Sequence, residues 1–441
     1  MPKEKSGEKE FIYNFDRLPA KEAFSIRTKE ILSALASFYG FEPIQTSLLE
    51  EPRFFSSLIR GGFWEESLPV QSKTSSGIDF LLRPSWAIGI LRAYISHRMN
   101  DFPHPLKFLF SGERFAAAPA KSSSPQIRIF NEWGLCMIGE EGPIAEAEVI
   151  QVLWKGVEKL GIPQANLQIR LSATGCNECR SQFRSPFVAH FRPRVYRLCR
   201  SCKKALKKSP TKILQCKEEQ CRMLAQNAPQ VLDYLCEICK KHLRGVLEFL
   251  DEAKISYLLD PKFFKEGSLY SSLIFELAVA LDVKPVEGAE TKEETPKQKL
   301  TLAEGGRVTR AAELAAGKKI DMVMGVASIA GIEEALKRGT VVESDGPKVF
   351  LTQLGELAKR KSLGLIEALR EGGISVQETL GRDSVKSQLK VAERVGAEIA
   401  LILGQKEALD DTIIVRELRS GIQETIPQEK LIEFLKKRLK R

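Results

Sequence analysis

The sequence predicts an α+β protein with an antiparallel-sheet domain, a cysteine-rich insertion inside it and a separate C-terminal α/β domain. Its 441 residues exceed the 250–300 or so that one core supports, so two or three domains are expected. Eight of the nine cysteines lie between Cys176 and Cys239, and a regular alternation of strands and helices begins near Pro347. A composition of 43% hydrophobic and 28% charged residues argues against a disordered or fibrous chain.

The order of these patterns gives domain boundaries. We expect a flexible tail over 1–10 and a sheet domain in two parts, 11–175 and 251–340. The cysteine-rich insertion over 176–250 separates these two parts, and the C-terminal domain covers 346–441. Residues 286–299 are rich in Glu, Lys and Thr without an apolar period, which predicts a flexible surface loop.

The charge balance favours a polyanionic partner. Lys and Arg number 67 against 57 Asp and Glu, a formal net charge of +10, so nucleic acid is the leading class of partner. No stretch reaches the roughly 18 apolar residues of a membrane helix, and residues 1–10 lack the apolar part of a signal peptide. We therefore predict a cytoplasmic protein that does not bind membranes.

Local periodicity places the first elements. Apolar residues at helical spacing over 22–39, followed by Gly40, predict a helix. The extended runs at 107–110 and 132–138 predict strands of a mainly antiparallel sheet. A helix over 145–160 and a strand over 167–171 complete the first part of the domain.

The clustered cysteines form four close pairs. In a reducing compartment such pairs are more often metal ligands than disulfides, which predicts two structural Zn²⁺ sites of four thiolates each in a loop-rich module with little core of its own. The alternative is that these thiols only pack as small buried side chains. Cys136 stands alone in an apolar run and is predicted to be a core residue. The candidate ligands are Cys176, Cys179, Cys199, Cys202, Cys216, Cys221, Cys236 and Cys239.

A dense run of basic residues extends from Arg192 to Lys212, on both sides of the second cysteine pair. Such a run is either a solvated face or an RNA contact in which each phosphate adds salt-dependent affinity. The candidates for RNA contact are Arg192, Arg194, Arg197, Lys203, Lys204, Lys207 and Lys208, and Arg200 and Lys212 add to the charge.

The C-terminal region predicts a small α/β unit with a largely buried sheet. A strand over 348–351, a helix over 356–371, a strand over 374–376, a helix over 384–396 and a strand over 399–403 follow one another. In the second helix Lys386, Lys390 and Arg394 recur every four residues and form a basic edge, which either contacts phosphates or faces solvent. The candidates for RNA contact in this unit are Arg382, Lys386 and Lys390.

Several segments together resemble the histidyl-tRNA synthetase family. The match is close at Gly381-Arg382-Asp383-Ser384-Val385-Lys386 and at Ala400-Leu401-Ile402-Leu403-Gly404, which resemble its anticodon-binding domain. Upstream, Phe38-Tyr39-Gly40-Phe41-Glu42-Pro43 is similar to the first class II motif, and Leu82-Arg83-Pro84 to the next segment. The cysteine pairs resemble an insertion found in part of the family. The resemblance covers roughly 10–440 and implies a class II sheet, an inserted domain, an anticodon-binding domain and a homodimer.

The positions that the resemblance assigns to substrate differ from the family pattern. Gly112-Glu113-Arg114-Phe115 keeps the start of the second motif, but the charged Arg and Glu that should follow are Ala116 and Ala118. The Glu and Thr that normally follow Leu-Arg-Pro are Ser85 and Ala87, and Trp86 replaces a small glycine.

Four further positions also lack the residue that the family pattern has there. A Gln becomes Glu132 and an acidic residue becomes Cys136 in the Phe-His-Gln-Phe-Gly-Val-Glu strand. Lys265 stands for the arginine of the Arg-Gly-Leu-Asp-Tyr-Tyr loop, which ends at Tyr270, and Glu334 stands for the arginine of the third motif. A lysine cannot reproduce the bidentate phosphate geometry of arginine.

These differences predict a paralogue that has lost histidine activation and acts as a tRNA-binding, RNA-binding or regulatory protein. Each missing donor costs about 3 kcal/mol of transition-state stabilisation, and at least three are absent. The resemblance therefore gives little support to the idea that this chain binds ATP as a cofactor. One alternative is an active histidine–tRNA ligase with divergent motifs. A second is a regulatory subunit of a histidine-biosynthesis phosphoribosyltransferase, although such subunits generally lack the anticodon-binding domain.

Overall fold

A computed structural model describes residues 16–60, 69–117, 127–264, 269–281, 298–339, 348–379 and 384–439. The chain divides into two compact units, Met1–Val341 and Val342–Arg441. The tail over 1–10, Ala118, Lys265 and Arg382 lie outside the described residues, as does most of the loop predicted over 286–299.

The first unit contains ten helices and eleven strands among its described residues. The helices are α1 Pro19–Phe38, α2 Pro52–Arg60, α3 Trp86–Ser96, α4 Ile144–Lys159, α5 Asn177–Phe191, α6 Arg200–Lys208, α7 Glu219–Gln226, α8 Glu237–Glu252, α9 Thr309–Ala316 and α10 Ile329–Gly339. The strands are β1 Glu42–Pro43, β2 Leu49–Glu50, β3 Gln71–Lys73, β4 Asp79–Leu82, β5 Leu106–Ala117, β6 Ile127–Ile138, β7 Leu167–Gly175, β8 Tyr257–Leu259, β9 Ser271–Leu281, β10 Gln298–Arg307 and β11 Met322–Ser328.

Eight of these strands form one sheet in the order β1-β5-β6-β11-β10-β9-β7-β8. The five inner pairings are antiparallel, and the pairings of β1 with β5 and of β7 with β8 at the two edges are parallel. The mainly antiparallel sheet predicted from the sequence is therefore confirmed. The long hairpin of β5 and β6 pairs Leu106 with Ile138 at one end and Ala117 with Ile127 at the other.

The two faces of this sheet bury different cores. Leu135, Val149 and Leu153 belong to the larger core, which α1, α4, α8 and α10 build on one face. Gly325 of β11 allows α4 to approach, because a Cβ atom there would lie 2.5 Å from Cδ1 of Leu153. The opposite face is covered by α3 and α9, and it carries Ala87 and Cys136, two of the positions that the resemblance assigns to substrate.

The insertion is helical and has a core of its own, which corrects the prediction of a loop-rich module with little core. Phe183, Phe187 and Phe191 recur every four residues along α5 and bury one side of it, with 5.0 Å between successive ring centroids. Leu198 and Ile213 add to the same cluster. Aromatic burial thus stabilises the module together with its cysteines.

The second unit is the predicted α/β domain. Its elements are β12 Val349–Gln353, α11 Glu356–Glu371, β13 Val376–Glu378, α12 Val385–Arg394, β14 Ile399–Leu403, α13 Gln405–Leu409, β15 Thr412–Glu417, β16 Gln423–Pro427 and α14 Leu431–Leu439. The sheet order is β13-β12-β14-β15-β16, parallel over the first three strands and antiparallel thereafter. Val349, Leu351, Leu401 and Leu403 are buried in its core.

Element boundaries differ from the predicted ones at a few points. The first helix begins at Pro19 rather than at 22, because proline is well tolerated in a first turn. Strand β7 continues to Gly175, beyond the predicted end at 171. Gln298 and Lys299, the last residues of the predicted loop over 286–299, belong to β10.

Candidate functional site

Helix α3 brings two of the altered family positions onto the sheet face opposite the larger core. Ser85 is the N-cap residue of α3 and Ala87 lies in its first turn, and both are buried. Ala87 packs in the same cluster as Cys136 and Phe110, which come from β6 and β5. The structure therefore brings these positions together on one surface, as the resemblance implies.

The Trp86 side chain fills the centre of this face. Its ring stacks on Phe110, with 4.7 Å between centroids and 26° between planes, and only 2% of Trp86 is exposed. Gly112 has a φ of +144°, and a Cβ atom there would lie 3.4 Å from the Trp86 ring. A glycine at this position thus gives the strand a conformation that other residues rarely adopt, and it leaves room for the indole.

Arg83 lies against the other side of the same indole. Its guanidinium carbon is 3.7 Å from the Trp86 ring centroid. The guanidinium donates hydrogen bonds to three main-chain oxygens, those of Thr46 at 2.6 Å, Glu113 at 3.1 Å and Ser47 at 3.2 Å. Burial lowers the pKa of Arg83 below the ordinary value for arginine. This cation supports the protein's own backbone and the indole.

The remaining cation of the second motif forms an internal ion pair. Arg114 donates from Nε to both carboxylate oxygens of Glu132, at 2.9 and 3.1 Å. The same guanidinium lies 4.0 Å from the Phe130 ring centroid. Burial raises the pKa of Glu132, and the positive charge of Arg114 opposes that effect. Glu132, at a position where the resemblance expects Gln, therefore occupies the Arg114 guanidinium within the protein.

Most other described residues of this face are apolar. Tyr270 and Glu304 are further polar residues near the ion pair. Cys136 and Ala116 are buried, and burial alone raises the pKa of the Cys136 thiol. The prediction that Cys136 is a core residue is confirmed. Burial, together with the negative charges of Glu304 and Glu132, raises the pKa of Tyr270 well above its ordinary value. Glu304 is a polar neighbour that the sequence reasoning missed, because an isolated acidic residue in a strand gives no signal.

The third-motif position is not part of this cluster. Glu334 is exposed on α10, whose buried residues Ile332, Ala335 and Leu336 pack into the larger core on the other face of the sheet. Its neighbour Glu333 forms an ion pair with Lys337.

The eight clustered cysteines form two groups of four. Cys176, Cys179, Cys236 and Cys239 make the outer cluster, and Cys199, Cys202, Cys216 and Cys221 make the inner cluster; within each group the four sulfur atoms lie within 4.8 Å of one another. A tetrahedral site with Zn–S bonds of about 2.3 Å places its sulfurs about 3.8 Å apart. The Sγ atoms of Cys176 and Cys179 are 3.5 Å apart, and those of Cys199 and Cys216 are 3.8 Å apart. Both clusters could hold a metal ion.

Helix N-termini position these thiols. Cys176, Cys199 and Cys236 are the N-cap residues of α5, α6 and α8. Burial would raise the pKa of the Cys176 thiol, but hydrogen bonds from neighbouring groups outweigh it and lower the pKa, and such bonds also lower the pKa of the Cys199 thiol. Main-chain N–H groups also point at the sulfurs: the N–H of Cys236 donates to Sγ of Cys179 at 3.2 Å, and that of Cys199 to Sγ of Cys221 at 3.3 Å. The Cys-x2-Cys spacing thus places two sulfurs at one helix start.

The predicted RNA-contacting residues are at the surface wherever the structure describes them. The seven candidates in the insertion, Arg192, Arg194, Arg197, Lys203, Lys204, Lys207 and Lys208, are all exposed, and so are Lys386 and Lys390 on α12. Among the described residues, no carboxylate lies within ion-pair distance of the seven insertion residues.

A buried charge network that the sequence did not reveal connects the insertion to the sheet. Arg307 at the end of β10 donates to both carboxylate oxygens of Glu146, at 2.7 and 2.8 Å, and His242 of α8 contacts the same carboxylate at 2.9 Å. Burial would raise the pKa of Glu146, but the bonds from His242 and Arg307 outweigh it and lower the pKa. His242 lies one turn from Cys239, beside a cavity of about 260 Å³.

Taken together, a mainly antiparallel eight-stranded sheet with a helical insertion, followed by a separate α/β unit, defines a protein of the class II aminoacyl-tRNA synthetase type. Residues 13–288 match the family model described as histidyl-tRNA synthetase, and residues 348–438 match the anticodon binding domain. The chain belongs to the histidyl-tRNA synthetase family. The predicted family and fold class are confirmed.

Similar proteins match over almost the whole chain. The histidine–tRNA ligase of Halothermothrix orenii is 30% identical over 410 residues, which are 90% of this chain and 92% of that protein. That of Dehalococcoides mccartyi is 29% identical over 427 residues, 96% and 98% of the two chains. The crystal structure of apo histidyl-tRNA synthetase from S. aureus has a TM-score of 0.73 and 25% identity, with 98% of this chain and 99% of that chain covered.

Within the described residues, no helix combines the length and apolarity that crossing a bilayer requires.

Proposed function

We propose that this chain is a histidyl-tRNA synthetase paralogue that binds tRNA or another structured RNA and does not activate histidine. The observation that carries the proposal is the filled substrate face: Trp86 lies buried between Phe110 and Arg83, in the place of a small glycine. A histidine or an adenylate on this face would have to displace a stacked, nine-atom ring system.

The electrostatics of the same face support the proposal. Phosphoryl chemistry needs fixed cations aimed at the charge that develops in the transition state. Arg114 is paired with Glu132, and Arg83 donates to main-chain oxygens. Loss of one such donor costs about 10²- to 10³-fold in rate, so the loss of several is expected to abolish adenylate formation.

Retention of the anticodon-binding unit and of the exposed basic residues supports RNA as the partner. Such residues add affinity through phosphate contacts without any reaction. We propose in addition that the inner and outer clusters each hold one structural Zn²⁺ ion, since four thiolates at tetrahedral spacing are the preferred zinc ligand set. The cytoplasmic location and the homodimer stay predictions.

A second candidate function is an active histidine–tRNA ligase with divergent motifs. The names of the relatives favour it, because the proteins that are 28–30% identical over at least nine-tenths of this chain are named histidine–tRNA ligases. On this view the Trp86 ring would have to move out of the face when substrates bind.

Histidine-dependent exchange of pyrophosphate into ATP separates the two candidates. We expect no exchange above the enzyme-free background, together with measurable binding of a tRNA transcript that weakens as salt rises. Histidine-dependent exchange would establish the ligase and refute the paralogue. Absence of tRNA binding at low salt would remove the RNA part of the proposal.

A further inference from the structure

Nearly all of the excess positive charge of the chain lies in one short segment of the insertion. Residues 192–212 contain nine Lys and Arg residues and no Asp or Glu, whereas the whole chain has a net charge of +10. The remainder of the molecule is therefore almost neutral. An electrostatic surface for a polyanion is expected here rather than spread over the protein.

Helix α6 gathers five of these charges on one side. At 100° per residue, Arg200, Lys203, Lys204, Lys207 and Lys208 fall within an arc of roughly 140°. All five are exposed, while Cys202 on the opposite side is buried. The arrangement is a basic face of about two helical turns, a length of roughly 13 Å at 1.5 Å per residue.

An exposed tyrosine lies in the segment that leads into this helix. Arg192–Arg197 forms a 3₁₀ helix, and Tyr196 within it is 73% exposed between Arg194 and Arg197, which are also exposed. A solvated basic face has no need of an exposed aromatic ring. Flat aromatic rings beside cations are the surfaces on which unpaired bases stack, and the stacking is worth about 1–3 kcal/mol per base.

The inner cluster holds this surface in shape. Cys199 caps α6, its Sγ accepting from the N–H of Cys202 at 3.4 Å, and Cys216 and Cys221 tie the same point to the following segment and to α7. Alone, a nine-residue helix is marginal in water, and like charges at a spacing of four residues destabilise it further. A bound metal ion would fix all four thiolates and thereby keep α6 formed.

We propose that Tyr196 and the basic face of α6 form an RNA-binding surface that recognises an unpaired nucleotide beside a phosphate backbone, and that metal at the inner cluster is required for it. The inference rests on the RNA-binding function proposed above and names the surface responsible. Tyr196 stacks on the base while Lys203, Lys204 and Lys207 contact phosphates. Loss of the inner metal ion would disorder α6 and release the RNA.

The stacking part is tested with the full chain and two probes, a tRNA transcript and a blunt RNA duplex with the same number of phosphates. Tyr196→Ala should weaken tRNA binding by about 5- to 100-fold and leave duplex binding unchanged, since only an unpaired base can stack. Tyr196→Phe keeps the ring and should bind tRNA like the unmodified protein. Equal tRNA affinity of all three proteins would overturn the stacking role.

The charge and metal parts use the same binding assay. Lys203→Ala with Lys207→Ala should reduce the slope of log affinity against log salt by up to about 2. Cys216→Ser, which removes an inner-cluster ligand outside α6, should abolish binding to both probes. Cys236→Ser in the outer cluster is the matched control and should leave most of the tRNA affinity. Zinc content and circular dichroism of each variant report metal loss and folding.

The outcomes separate this inference from the proposed function. An unmodified protein that fails to bind tRNA would contradict the proposed RNA binding itself. A protein that binds tRNA, but whose affinity is unaffected in the Lys203/Lys207 double variant and in Cys216→Ser, would leave RNA binding intact and refute the surface proposed here. Equal loss of affinity in Cys216→Ser and Cys236→Ser would refute the special role of the inner cluster.

Discussion

At the scale of single residues, Trp86 shows how closely the sheet face beneath α3 is packed. Its ring contacts Phe110 on one side and Arg83 on the other. We expect Trp86→Ala to lower the free energy of unfolding by about 3–5 kcal/mol, because a large buried ring is lost and a cavity is left. Denaturant unfolding measures the change, and Ile78→Ala at an exposed position is a control expected to stay within about 0.5 kcal/mol. A Trp86→Ala protein as stable as the unmodified one would contradict this packing.

Glu146 makes stability depend on acid pH. Its folded-state pKa is lowered, so its ionised form contributes stability that is complete above its unfolded value of about 4.3 and is lost as the pH falls below it. We expect Glu146→Gln to lower the free energy of unfolding by up to about 3–5 kcal/mol at neutral pH and to flatten the loss below pH 4 or so. The buried Arg307 then loses the carboxylate that it contacts through two nitrogens and retains the longer ion pair with Asp321, at 3.3 Å. Unfolding measured from pH 7 to pH 3 checks both effects.

The exposed pair of Glu433 and Lys437 provides the control for this titration. Lys437 lowers the pKa of Glu433, but water screens this exposed pair, so Glu433→Gln should leave the pH profile of unfolding nearly unchanged. If Glu146→Gln retained the full acid dependence, the buried network would not be its source.

Sequence reasoning identified several residues but not their partners. Cys136 is buried, as its place in an apolar run predicts. The replacement of a family Gln by Glu132 stays a prediction from the resemblance. The pairing of Glu132 with Arg114 could not be predicted, because it depends on the register of β5 against β6, where Gly112 is opposite Glu132. The contact of Glu146 with Arg307 joins residues 161 positions apart, and no local pattern carries such information.

At the scale of elements, the insertion places its two cysteine clusters at helix starts. We expect the full chain to bind two equivalents of Zn²⁺ and Cys199→Ser with Cys202→Ser to bind one, since only the inner cluster loses ligands. Cys136→Ala removes a cysteine outside both clusters and should leave two. Metal analysis of the purified proteins decides this. Two equivalents in the double variant would show that the inner cluster is not a zinc site.

The elements themselves were predictable where a pattern was long and regular. The helix over 356–371 and the strand over 399–403 agree with α11 and β14 at both ends. The sequence did not predict which cysteine pairs share a cluster, since four pairs can combine into two clusters in several ways. The positions of α5 to α8 in the fold determine which combination occurs. The aromatic core of the insertion was not predicted either, although Phe183, Phe187 and Phe191 recur every four residues along α5.

At the scale of the whole molecule, the two units have separate cores. Residues Val342–Arg441 bury their own apolar cluster, so we expect this fragment to fold alone. Expressed by itself it should show a cooperative thermal transition and the circular dichroism of an α/β domain. A fragment without a cooperative transition would show that its fold depends on the first unit.

The family and the domain order were predictable from short motifs, because these motifs are contiguous in the sequence and follow one another along the chain. Whether the face beneath α3 can bind a substrate could not be predicted from such motifs. Binding depends on which partners Trp86 and Arg114 contact. Only the three-dimensional structure shows these partners, which are Arg83 and Glu132.

The nesting of the inner cluster within the outer one has a consequence for biosynthesis. Cys179 and Cys236 are 57 positions apart, whereas Cys199 and Cys216 are 17 apart. Closing the longer loop costs about 1 kcal/mol more in chain entropy than closing the shorter one. Every inner ligand also leaves the ribosome before Cys236 does. If each cluster holds Zn²⁺ as proposed, the nascent polypeptide captures its first ion while the second site is still incomplete, and that early capture shortens the loop that remains to be closed.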